Sequence, residues 1–139
     1  MLSAKMKWTG GLKFEGVSGF GLPIATDGAK SAGGSESGYK PTELVLYGLA
    51  GCTGIDVVRI IEKQRQELNG LEIEVDAYQP ENYPKPFNKI EIKFIFTGKN
   101  LNRAKVEQAV SLSEEKYCVV SQTLAGVARI VSSIEIKEG

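Results

Sequence analysis

No histidine occurs among the 139 residues, and only two cysteines do, Cys52 and Cys118. The first absence excludes a Ser-His-Asp triad, a Cys-His dyad and any His-ligated metal centre. Excess charge is also missing: seventeen Lys and Arg balance seventeen Asp and Glu, so no global field draws the chain to nucleic acid or to an anionic membrane. The longest uncharged stretch of the most apolar region, residues 44–55, is too short to cross a bilayer. The beginning MLSAKMKWTG has no apolar signal core. Cytoplasmic residence is the expectation, with no membrane and no nucleic acid as partner. In that compartment thiols stay reduced, and a disulfide is catalytic or transient.

What is present reads as one α+β domain spanning 1–139, large enough to bury a core. Ala4, Met6 and Trp8 alternate with polar residues and open a β-meander over residues 3–26, with turn signals at Gly10-Gly11 and Ser18-Gly19. Pro23 suits an edge strand. Residues 27–40, DGAKSAGGSESGYK, form a polar Gly/Ser-rich segment that reads either as a plain connector or as a flexible lid. Pro41 then opens a helix, followed by Thr42 and Glu43, which suit its positive end. That helix is expected to run to the stop signal Asn69-Gly70. From Leu44 to Ile61 it is apolar or small on nearly every side, which implies burial all round. A chain this short achieves that most simply with a second copy, and Gly48, Gly51 and Gly54 would permit close backbone approach.

Two alternating segments follow, Leu71 to Ala77 and Ile90 to Phe96, and they are expected to pair as a hairpin. Asn102 caps a second helix. A short helical piece around Ser121 to Ala125 and a last strand over 129–137 complete a largely antiparallel architecture.

The two thiols carry the remaining chemical interest. Cys52, mid-helix among Leu49, Ala50 and Ile55, reads either as a buried inert thiol or as a nucleophile awaiting a positive neighbour. Cys118 precedes Ser121-Gln122-Thr123 at a helix junction, where orphan N–H groups would lower its pKa and favour reactivity. Nothing in the spacing says whether the two meet.

The run PTELVLYGLAGCTGIDVVRIIEK, with Cys52 eleven residues after Pro41, and the later EKYCVVSQTLAG around Cys118 resemble the osmotically inducible protein C / organic hydroperoxide resistance (OsmC/Ohr) superfamily. The resemblance covers most of the chain. It implies an OsmC-like fold, with antiparallel sheets wrapped around long central helices in an intertwined homodimer. It also implies a thiol-dependent hydroperoxide reductase in oxidative-stress defence. Carried over residue by residue, Cys52 would attack the peroxide and Cys118 would resolve the sulfenic acid. Glu43 would be the acidic catalytic group, and a small dithiol or a dihydrolipoyl protein would be the reductant. No metal, flavin or haem cofactor is implied.

This chain departs from the pattern twice. It has no arginine before Arg59, and Thr42 follows Pro41 where the family glutamate would stand, with Glu43 one place later. It therefore resembles a subgroup lacking the usual N-terminal arginine. Activation of Cys52 would then fall to a lysine of the meander or of the 27–40 loop, reaching across the dimer. The alternative reading is a dimeric small-ligand-binding or redox-sensing protein without peroxidase turnover.

Overall fold

The computed structural model describes residues 1–139. It consists of two compact units, Met1–Val45 and Leu46–Gly139.

The first unit is a three-stranded antiparallel sheet in the order β1 (Lys7–Gly10), β2 (Lys13–Val17), β3 (Pro23–Thr26). Gly10 and Gly11 both have positive φ, 115° and 55°, which a side chain would resist in so tight a turn. Pro23 begins the edge strand β3, where its missing N–H breaks no central ladder.

Residues 27–40 are more ordered than their composition suggests. Asp27 is buried, and its carboxylate accepts from Gly28 N (2.7 Å), Ser35 N (3.1 Å), Ser37 N (3.1 Å) and Ser37 Oγ (2.8 Å). Those donors hold its carboxyl at a pKa of about 2, the Ser37 amide contributing most and burial opposing. The segment folds back on itself so tightly that a Cβ at Gly34 would collide with the Gly28 carbonyl. Of the two readings of this segment, connector or flexible lid, neither anticipated a loop organised around one anion.

Helix α1 (Pro41–Lys63) begins at its proline. It ends six residues before Asn69-Gly70, earlier than the stop signal implied. Arg65 adopts a left-handed φ of 56°, Arg65 N donates to Glu62 O, and Gln66 N donates to Ile61 O. This is a two-bond left-handed helix terminus formed without glycine. Asn69 and Gly70 lie instead inside β4 (Glu67–Tyr78), where the register slips between Leu68 and Gly70. The glycine serves a bulge rather than a helix end.

The second unit is a sheet in the order β4, β5 (Lys89–Lys99), β6 (Arg129–Glu138). The first two pair antiparallel from Glu67↔Lys99 to Tyr78↔Lys89, as the two alternating segments imply. β6 pairs with β5 in parallel, from Lys89↔Arg129 to Gly98↔Glu138, so the sheet is mixed rather than wholly antiparallel. A helical crossover lies between these strands and makes parallel return possible. It comprises α2 (Arg103–Leu112), a π turn (Ser113–Tyr117) and α3 (Val119–Leu124). Asn102 caps α2 through its side chain, which accepts from Lys105 N at 3.0 Å.

Ile90, Ile92, Phe94 and Phe96 on the central strand are fully buried. They share one cluster with Val106, Ala109 and Val110 of α2 and with Leu49, Val57 and Ile61 of α1. The buried stripe of α1 is Leu49, Thr53, Val57 and Ile61, one helical turn apart, with Cys52 and Ile60 packed partly buried beside the core. Val45, Tyr47 and Ile55 on other flanks are exposed in the single chain. By length and composition α1 could cross a bilayer, with a mean hydropathy of 1.7. That is more than its uncharged stretch suggested, because charge is sparse over the whole helix. Its stripe nonetheless packs into the sheet core.

Candidate functional site

Cys52, Thr53 and Asp56 come from α1, and Ser113 and Cys118 from the helical crossover. On α1, Cys52 and Asp56 are four residues apart and so share a face. The π turn after Leu112 does the remaining work. Its wider hydrogen-bond pattern carries Ser113 inward, where it is fully buried, and Cys118 N closes the turn on Ser113 O at 2.7 Å. Ser113 Oγ lies 2.8 Å from Thr53 Oγ1 and donates to Asp56 Oδ2 at 3.1 Å. With these bonds in place, the Cys52 sulfur, the Cys118 sulfur and a carboxylate oxygen of Asp56 all stand within 4.8 Å of one another.

The two thiols are unequal. Both are free, Cys52 half-buried and Cys118 buried. Cys118 is the N-cap of α3 and accepts from Ser121 N at 3.3 Å. By position alone that bond should lower its pKa. The opposite holds: burial pushes the Cys118 thiol up to about 11. The hydrogen bond and charge of Cys52 add to the rise, against the Ser121 and Val120 amides. Cys52, the less buried of the two, is the more accessible thiol.

Asp56 escaped the sequence reading. Its signal was the i, i+4 spacing from Cys52, which places a carboxylate beside a thiol on any regular helix. Glu43 lies in the first turn of α1, with its carboxylate 3.7 Å from Lys40 Nζ. It precedes Cys52 by nine residues in the sequence. Beside Asp56, an open cleft of about 390 Å³ is lined by Arg59, Ile60, Lys63, Leu112 and Tyr117.

A family model described as OsmC-like protein matches residues 33–132, spanning both cysteines. The chain belongs to the OsmC-like family. Among its members, protein YhfA of Escherichia coli is 38% identical over 135 residues, covering 97% of this chain and 98% of YhfA. A solved structure from Aquifex aeolicus superposes with a TM-score of 0.86 at 29% identity, covering 100% of this chain and 99% of that one. The organic hydroperoxide resistance protein OhrB of Bacillus subtilis superposes with a TM-score of 0.61 at 25% identity, covering 98% of both chains. The mixed α+β architecture with its two sheets is thus the OsmC-like fold.

Proposed function

We propose that this OsmC-like protein is a homodimeric thiol peroxidase that reduces organic hydroperoxides, and hydrogen peroxide as a smaller substrate. The supporting observation is the pair of free sulfurs within 4.8 Å, one half-exposed and one buried behind it. The likeness to a protein named for organic hydroperoxide resistance points to the same chemistry.

The Cys52 thiolate attacks one peroxide oxygen, the O–O bond breaks, and the alkoxide leaves as the alcohol after taking a proton. Cys52 is then a sulfenic acid. The Cys118 thiol attacks that sulfur, its proton leaves with the hydroxyl as water, and a Cys52–Cys118 disulfide results. Two electrons from a dithiol or a dihydrolipoyl protein restore the pair. A reducing cytoplasm suits thiols that must return to this state.

The dimer reading rests on α1. Its exposed Val45, Tyr47 and Ile55 are apolar surface that a second copy would cover. Added Cβ atoms at Gly48 and Gly51 would meet nothing within 4 Å, leaving room for a crossing helix. Glu43 takes part in this reading as the acidic group of the site, contributed by the second copy.

The test is consumption of cumene hydroperoxide by the wild type, Cys52→Ser and Cys118→Ser with a dithiol reductant. Turnover by the wild type and none by Cys52→Ser is the expected result. Equal turnover by all three removes the proposal and leaves a ligand-binding or sensing protein.

A further inference from the structure

Thiol oxidation gives Asp56 nothing to do. Its carboxylate is nonetheless held beside the two thiols by Ser113 Oγ at 3.1 Å, itself 2.8 Å from Thr53 Oγ1. A cation would give the three donor atoms, all within 4.8 Å of one another, a common partner.

We infer that the reduced Cys52–Asp56–Cys118 cluster binds Zn²⁺ through two thiolates and one carboxylate. Three atoms within 4.8 Å of one another always have a point no farther than about 2.8 Å from each, against bond lengths of about 2.3 Å to sulfur and 2.0–2.2 Å to oxygen. The donors therefore stand within about half an ångström of bonding distance. The donor set suits a borderline-soft ion, and thiolates select it over Mg²⁺ or Ca²⁺.

The surroundings resemble the outer shell of a metal site, in which ligating carboxylates are themselves hydrogen-bonded. Asp56 Oδ2 accepts from Ser113, and Cys118 Sγ accepts from Ser121 N. Asp56 also borders the open cleft beside Arg59 and Lys63, the side from which a water would approach the fourth position. Binding releases one proton from each thiol, and the ion with its three donors carries a single net negative charge. The bound thiolates cannot form a disulfide, and the disulfide offers no thiolate ligand. Metal loading and oxidation therefore exclude each other. This goes beyond the peroxidase reading and does not depend on it.

The experiment titrates full-length protein, reduced and freed of reductant under argon, with Co²⁺ as the spectroscopic probe and then displaces it with Zn²⁺. One Co²⁺ per chain is expected, with thiolate-to-cobalt charge-transfer absorption and intense tetrahedral d–d bands. Zn²⁺ should erase both, and the disulfide form should show neither. Asp56→Asn, confirmed folded by circular dichroism, should bind Co²⁺ at least about tenfold more weakly. Absence of charge-transfer absorption in the reduced wild type overturns the inference, and so does wild-type affinity in Asp56→Asn. If that variant does not fold, the rate at which Ellman's reagent modifies the wild-type thiols decides. Slowing by stoichiometric Zn²⁺ supports the site and an unchanged rate overturns it. A protein inactive on peroxides but bright with Co²⁺ would separate the two readings.

Discussion

The hydroxyls of Thr53 and Ser113 meet at 2.8 Å in a fully buried contact between α1 and the π turn. This bond ties the crossover to α1 at the residue next to Cys52. Thr53→Val keeps the shape and removes one partner, leaving Ser113 only its bond to Asp56. A loss of about 1–2 kcal/mol is expected in urea unfolding, together with slower disulfide formation followed by non-reducing peptide mapping.

Cys118→Ser should trap the first intermediate of the proposed cycle. With no resolving thiol behind it, oxidised Cys52 should persist as a sulfenic acid and take up dimedone, seen as a mass increase on the Cys52 peptide. In the wild type the same treatment should give a Cys52–Cys118 disulfide and no adduct.

Asp27 binds fewer protons folded than unfolded, since its pKa falls from 3.8 to about 2. Its contribution to stability is therefore complete above about pH 4 and is lost as pH falls through about 2. Asp27→Asn should melt below wild type near neutrality, and the gap between the two melting curves should close as pH falls through that window. Hydrogen exchange of the Ser35 and Ser37 amides should quicken in the variant, because both donate to the lost carboxylate.

Glu114 shifts the other way. Burial raises its carboxyl above the usual range, against a bond from Ser132 Oγ at 3.1 Å and with added repulsion from Glu115. Its Oε1 is buried without a partner. The folded state thus binds the extra proton, and stability falls as pH rises from the unfolded value of about 4.5. Glu114→Gln should gain up to about 1 kcal/mol at neutral pH, after allowance for partial solvent screening. That gain should vanish in acid, measured by thermal melting.

Gly51 offers a test of the proposed dimer. A side chain there meets nothing within 4 Å in the single chain, and replacing glycine in a helix gains up to about 1 kcal/mol of propensity. Gly51→Leu should therefore keep its circular dichroism spectrum while sedimenting as a monomer. A wild type that is monomeric at micromolar concentration would contradict the dimer reading.

Much of this was legible along the chain because local patterns and tertiary demands agreed. Ile90 to Phe96 alternate and are buried as the alternation implies. Pro41 starts α1 and Asn102 caps α2, each for reasons confined to a few neighbours. Agreement failed where one local signal had two uses. Gly70 could end a helix or bulge a strand, and pairing with β5 selected the bulge. Cys118 could gain from a helix N-terminus or lose by burial, and burial outweighed it.

By itself the sequence determined which chemistry was open. Lacking histidine, the chain has no His-dependent catalysis open to it, which puts its two thiols first, and its family pattern marks where they lie. Only the tertiary structure decided that Cys52 and Cys118 meet, that Asp56 stands with them, and which thiol is the more exposed. Those outcomes depend on a π turn docking against α1 through the Ser113 hydroxyl. Such contacts join residues far apart in the chain, and no local propensity encodes them.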